Sequence, residues 1–197
     1  MSVKASILAV LTLGDCHGYQ LRQEIESRTG GIWSINVGQI YSTLNRLERD
    51  GLVCANQANS DGQTSYRITD LGRKEAELWF QTPLASGPDS RSELATKLAL
   101  AVTIPGVEVS ELIYSQRVQT MRALQSLTNA KRDSNHEDPN EIPWLLIADL
   151  NIFNCEAELR WLEHIEGTLA KSAARKLSTS QELQKPVKRG RPAKTNN

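Results

Sequence analysis

Three cysteines in 197 residues, Cys16, Cys54 and Cys155, stand far apart with no CxxC or Cys/His spacing. That excludes a disulfide framework and a zinc site, and buried inert thiols are their ordinary role. No run of about 18 apolar residues exists, so no segment has the length to span a bilayer. The opening MSVKASILAVLTLG is apolar, but it runs straight into helical periodicity without a small-residue cleavage site. It reads as a first helix of a cytoplasmic protein rather than a signal peptide. Gly-rich phosphate loops, HExxH and GxSxG are missing, and acids and histidines do not cluster, so the chain is not expected to be an enzyme or to hold a cofactor or metal. His17 at a helix start, His136 in a polar loop and His164 on a helix flank have no partners that suggest ligation or switching.

Net charge is also lacking: 23 basic residues balance 23 acidic ones. The distribution is uneven. From Lys171 onward there are eight basic residues and one acid, so a tail of +7 leaves −7 on residues 1–170. Any polyanion affinity outside the tail must come from where individual arginines point.

What is present concentrates in residues 38–53, GQIYSTLNRLERDGLV. Val37, Ile40, Leu44 and Leu47 recur at helical spacing and form one apolar stripe. The opposite face carries Gln39, Ser42, Asn45, Arg46 and Arg49, the amides, hydroxyl and guanidinium groups that read base edges or hold phosphate. Tyr41 sits at the edge of the stripe, with its ring toward the core and its hydroxyl outward to phosphate. Asn36 and Gln39 have the spacing of an N-cap and its N3 partner, which starts the helix at Val37; Gln39 is thus claimed by two roles, capping and base contact. Gly51 stops the helix. Leu52–Ala55 and Ser65–Ile68 flank the turn-forming SDGQ of Ser60–Gln63 and predict a hairpin. Upstream, Val3–Leu13 is an apolar helix. Asp15 is placed to cap a second helix with Tyr19, Leu21 and Ile25 inward, ended by Thr29, Gly30 and Gly31. A further helix covers about Asp70–Phe80. Helix, helix, turn, helix, hairpin is the layout of a winged helix-turn-helix.

HGY at His17–Tyr19, Trp33, GxIYxxLxRLExxGLV at Gly38–Val53 and YRITxxGR at Tyr66–Arg73 resemble the PadR family of bacterial transcriptional regulators. The resemblance covers about residues 1–80. It implies a dimeric, usually repressing DNA-binding protein with a winged-helix head and a helical C-terminal dimerisation domain. It also implies that the helix matching Asn36–Asp50 enters the major groove while the hairpin matching Leu52–Ile68 lies near the backbone or minor groove, which adds Thr64 and Arg67 to the DNA-binding set. Two departures stand out: Ser42 replaces a usual proline, and Thr64 and Ser65 stand where basic residues often precede the second wing strand. The second predicts a weaker wing grip on phosphate.

The predicted organisation is a winged helix-turn-helix domain at 1–80, a linker at 81–90, a helical domain at 91–171 and a disordered basic tail at 172–197. The fold class is mainly α with a small β-hairpin wing. In the helical domain, Arg91–Ile104 turns Leu94, Leu98, Ala101 and Val102 to one side. About Glu108–Lys131 and Pro143–Lys171 form two longer amphipathic helices. Their apolar surface is too large for a free monomer and predicts pairing across a two-fold axis, with the band from Trp144 to Leu169 as the seam. The order short, long, long resembles the larger C-terminal domain of one branch of the same family. Trp144 and Trp161 are expected in the dimer core; a pocket there for a small aromatic or apolar effector is the second reading. In the tail, KRGRPAK at Lys188–Lys194 is similar to an AT-hook, with Lys188, Arg189 and Arg191 entering a narrow A·T minor groove; a solubilising basic tail is the competing reading. The functional expectation is a homodimeric, sequence-specific regulator of operator DNA, with no membrane partner. A winged helix used only as a protein-docking adaptor is the alternative, but an adaptor would present an apolar face at residues 39–49.

Overall fold

In a computed structural model of the chain, which describes residues 2–31, 35–57, 63–85, 90–135, 138–175 and 181–184, α1 (Val3–Leu11) forms the centre of the head. Seven of its nine residues are apolar, and such a helix is stable only when surrounded. Ile7, Leu8, Ala9, Val10 and Leu11 are all buried, and α2, α3, α4 and α5 pack around them. Ser2 caps it, its hydroxyl accepting from the Ala5 amide at 3.3 Å.

The chain does not pass directly into a capped second helix. Cys16–His17 form a short strand, β1, and α2 (Gly18–Arg28) follows with His17 as its N-cap residue. Asp15 therefore does not cap α2, because the intervening strand carries it away to the wing sheet. α3 is Val37–Arg49, β2 Val53–Ala55, β3 Ser65–Ile68 and α4 Asp70–Gln81. The wing is a three-stranded antiparallel sheet in the order β1-β3-β2 rather than a bare hairpin. Cys16 pairs with Tyr66 on one side, and Val53, Cys54 and Ala55 pair with Ile68, Arg67 and Tyr66 on the other. Trp33 and the turn residues Ser60–Gly62 lie outside the described residues.

The segment at 81–90 is not a loose linker where it is described. The Leu84 amide donates to the Gln116 side-chain oxygen at 2.8 Å, and the same amide group returns a bond to the Leu84 carbonyl at 3.1 Å. The Thr82 carbonyl accepts from the buried Lys97 ammonium at 2.6 Å. α5 (Ser90–Thr103) then packs on α1 and α2, so the head's core continues through Leu94, Leu98, Leu100, Ala101 and Ile104. The apolar core thus does not break at residue 90.

α6 (Val109–Asp133) and α7 (Ile142–Ala174) are antiparallel. Lys131 bonds Asp149, Thr120 bonds Glu158 and Arg117 bonds Glu166, so one index rises as the other falls. The buried Glu158 carboxylate accepts from Gln116 at 2.9 Å and from Thr120 at 2.5 Å.

The tail differs from a wholly disordered segment beyond Lys171. α7 runs on to Ala174, and residues 181–184 lie against the head between α2 and α5, with Leu183 packed on the core. All three cysteines are free thiols; Cys16 is fully buried, and burial, aided by the nearby Glu24 and Asp15 carboxylates, pushes its thiol up to about 12 and leaves it inert.

Candidate nucleic-acid interface

α3 has two chemically distinct faces. Ile40, Leu44 and Leu47 are buried to 0–1% exposure. Asn36, Gln39, Tyr41, Ser42, Asn45, Arg46 and Arg49 are all exposed. Asn36 caps the helix, its side-chain oxygen accepting from the Gly38 amide at 2.7 Å. Its entry is held from the other side by Glu26 of α2, which accepts from the Ile35 amide at 3.2 Å. The exit is set by Gly51 at φ +71°, whose left-handed backbone lets the Leu52 amide reach back to the Leu47 carbonyl at 2.8 Å. A helix tied at its start by side-chain oxygens and at its end by a backbone bond presents its outer face as a rigid row.

Within that row the groups differ in freedom. The Arg46 guanidinium is 3.3 Å from the hydroxyl of buried Thr43, which gives its stem a fixed origin. Arg49 lies 3.4 Å from Asp50, an exposed contact that a phosphate can displace. The Ser42 hydroxyl donates back to the Gln39 carbonyl at 3.1 Å, leaving its oxygen as an acceptor. The Tyr41 ring lies over Gly18, the first residue of α2. A Cβ there would stand 2.7 Å from the ring, so the missing side chain permits this approach of α2 to α3.

The wing residues stand apart from this row. Thr64 is half-buried beside β3. Arg67 is exposed, but its guanidinium grips Asp15 with Nε 3.1 Å from both carboxylate oxygens and Nη2 2.7 Å from Oδ2. The Asn56 amide also donates to Asp15 at 3.0 Å. The hydrogen bond from Arg67 holds the Asp15 carboxyl below the usual carboxylate range, against the opposing effect of burial. Arg67 is therefore a neutralised cation until Asp15 releases it. Sequence reasoning gave Asp15 a capping role because nothing in a 52-residue separation marks the two as partners.

Trp144 and Trp161 do not share a site within one chain. Both are on α7, and 17 residues of helix separate them by roughly 25 Å. Trp144 is exposed near the start of α7, whereas Trp161 lines a cavity of about 330 Å³ with Leu94, Ala95, Ala157 and Glu158. Lys188, Arg189 and Arg191 lie outside the described residues.

Residues 7–78 match the transcriptional regulator PadR-like family, and residues 90–170 match the C-terminal region of virulence activator alpha. Over 185 residues the chain is 24% identical to a probable transcriptional regulator of Mycobacterium tuberculosis, Rv1176c, covering 86% of this chain and 98% of the relative. It is 24% identical over 128 residues to the negative transcriptional regulator PadR of Bacillus subtilis, covering 64% of this chain and 70% of that one. A solved transcriptional regulator of Clostridium thermocellum shares 31% identity, with 39% of this chain and 75% of that chain covered and a TM-score of 0.38.

Proposed function

The chain belongs to the PadR-like family of transcriptional regulators, and from that premise we propose that it is a homodimeric repressor that reads operator DNA with the outer face of α3 and blocks a promoter by occupying it. The observation that carries this reading is the α3 row itself: hydrogen-bonding side chains outward, Ile40, Leu44 and Leu47 inward, and both helix ends tied. Arg46 is in position to read a base edge, and Arg49, one turn nearer the helix end, to hold phosphate. Such a regulator works in the cytoplasm, on the nucleoid. The negative regulator PadR among its relatives is the support for repression.

Dimerisation is assigned to the first half of α7. Ile142, Trp144, Leu146, Ile147, Leu150 and Phe153 are between 41% and 67% exposed in the single chain, an apolar face that a second copy covers. This shifts the seam expected from sequence: Leu162, in the second half of the helix, is fully buried within its own chain. The cavity beside Trp161 is the proposed place for a small aromatic or apolar effector, with the Glu158 carboxylate at its wall. A ligand there releases DNA only if it binds the DNA-free arrangement better.

Selection of bound duplexes from a random pool tests the reading. A two-fold repressor selects an inverted repeat with half-sites about one helical turn, ~10 bp, apart. Arg46→Ala then costs ~1–3 kcal/mol and relaxes preference at one base pair, whereas Arg49→Ala weakens all sites alike. A folded double variant that holds its selected operator at full strength overturns the assignment. Effector binding is read from Trp161: quenching by candidate aromatic or apolar compounds that leaves operator affinity unchanged removes them as inducers.

A further inference from the structure

Glu158 of α7 is 6% exposed, yet only neutral groups hold it. The Gln116 side-chain nitrogen at 2.9 Å and the Thr120 hydroxyl at 2.5 Å both donate to the same oxygen, Oε1. Among the described residues no lysine or arginine pairs with it. Glu24, also buried, is treated differently: the Arg28 guanidinium lies 3.0 Å away, and the two side chains are 2% and 1% exposed. A carboxylate taken out of water without a cation is costly, so the unpaired one calls for an explanation.

The second oxygen supplies it. Oε2 receives no donor among the described residues, and it is not sealed inside the protein. Glu158 lines the cavity of about 330 Å³ whose other walls are Leu94, Ala95, Ala157 and Trp161. A single carboxylate therefore faces an otherwise apolar and aromatic space. The two alanines leave that space open, and its volume is near the low end of small-molecule sites, ~300–1,000 Å³, which suits one ring.

The carboxylate is also fixed in direction. Gln116, which holds Oε1, is itself held by the chain leaving α4: it accepts from the Leu84 amide at 2.8 Å and donates to the Leu84 carbonyl at 3.1 Å. With Oε1 anchored by two donors, Oε2 is a preorganised acceptor that a ligand meets without first ordering it.

Resting on the reading of this cavity as the effector site, we propose that Glu158 selects the effector by charge. The cavity takes a protonated amine borne on a single aromatic or apolar ring, with the ammonium donating to Oε2 and the ring against Leu94, Ala95 and Trp161. The ligand supplies the cation that Glu158 lacks within its own chain, through a charge-assisted hydrogen bond. An alcohol of the same shape offers only a neutral donor. A ligand carboxylate sets like charges together and is rejected.

Calorimetric titration of the full-length protein compares phenethylammonium, phenethyl alcohol and hydrocinnamate, which share one ring. The amine is expected to bind about tenfold or more tightly than the alcohol, and the acid most weakly. Glu158→Gln keeps an oxygen for Gln116 and Thr120 and turns amide N–H groups to the cavity. The amine should then lose its advantage over the alcohol, and the acid should gain. Ala95→Leu fills the cavity with Glu158 untouched and should abolish amine binding. If Glu158→Gln fails to fold, the ranking of the three probes together with Ala95→Leu decides. Acid bound as tightly as the amine, an amine advantage kept in Glu158→Gln, or amine binding kept in Ala95→Leu each overturns the proposal. Acid that binds the unmodified chain and is lost in Ala95→Leu defeats the selection by charge but not the effector cavity; an unmodified chain that binds none of the probes defeats both.

Discussion

Asp15 and Arg67, one before β1 and the other in β3, are joined by a two-pronged ion pair with its shortest contact at 2.7 Å. The pair ties the outermost strand of the wing to its centre and occupies the wing cation that a phosphate would otherwise attract. Releasing Arg67 should strengthen DNA binding without changing what is read. Asp15→Asn is expected to raise affinity for all duplexes alike and to steepen the plot of log K against log salt by about one, the counterion release of a single further phosphate. An unchanged slope, measured by anisotropy across a salt series, means that Arg67 stays off the DNA. The same pair sets an acid limit on the wing. The folded Asp15 carboxyl lies below its unfolded value, so its contribution to stability is present above the unfolded value of 3.8 and is lost as pH falls through the lowered folded value.

Gly72 in the first turn of α4 stands directly against the chain leaving α3. A Cβ built there would lie 2.1 Å from the Leu52 carbonyl oxygen and 2.8 Å from Ile68. The Thr69 hydroxyl, which accepts from the Gly72 amide at 3.1 Å, also donates to that Leu52 carbonyl at 3.0 Å, so the backbone is pinned from both sides. Gly72→Ala, stabilising in an ordinary helix, should here cost ~1–3 kcal/mol or more by overpacking. Urea unfolding gives the number; a stability equal to or above the parent's contradicts the contact.

Much of the head was legible because its signals are local. The stripe Ile40, Leu44, Leu47, the cap at Asn36 and the stop at Gly51 each act within a few residues, and all three stand where their spacing placed them. Gly72 was visible only through the family pattern; its reason is a carbonyl twenty residues away. The missed features are all long-range. Asp15 pairs with a residue 52 positions on, and α5 completes the head's core although composition placed it in the second domain. The docking of residues 181–184 was hidden because Ser, Gln and Lys composition signals low burial, whereas its bonds are backbone carbonyls and amides meeting Arg28 and Glu24. On α7, periodicity showed an apolar band but not which half its own chain covers.

That division of α7 separates two kinds of variant. Ile147→Glu or Phe153→Glu places a carboxylate on a face exposed in the single chain. Each should leave a folded helical protein that sediments as a monomer and binds the operator much more weakly, because the charge is desolvated only in the dimer, at a cost of several kcal/mol. Leu162→Glu should instead lower the melting temperature, since that position is sealed within one chain. Unmodified protein that sediments as a monomer at micromolar concentration rules out the seam.

Two buried groups push the response to alkali in opposite directions. Lys97 sits at the Thr82 carbonyl and 5.6 Å from the Trp79 ring centre, and burial lowers its ammonium to about 8. The unfolded lysine keeps its proton to about 10.4, so between pH 8 and 10 the unfolded chain binds more protons and stability rises with pH. Cys16 does the reverse: its folded thiol stays protonated to about 12, while the unfolded thiol ionises near 8.5, so stability falls over the same range. Together they nearly cancel, and the unmodified protein should be flat from pH 8 to 10. Cys16→Ala exposes the lysine effect as a rise of up to about 2 kcal/mol by pH 10, and Lys97→Met exposes the thiol effect as a fall of similar size. Denaturant midpoints across the range distinguish the three proteins. Parallel profiles for the parent and Lys97→Met would show that Lys97 is not held in the folded state as a deprotonation-prone ammonium.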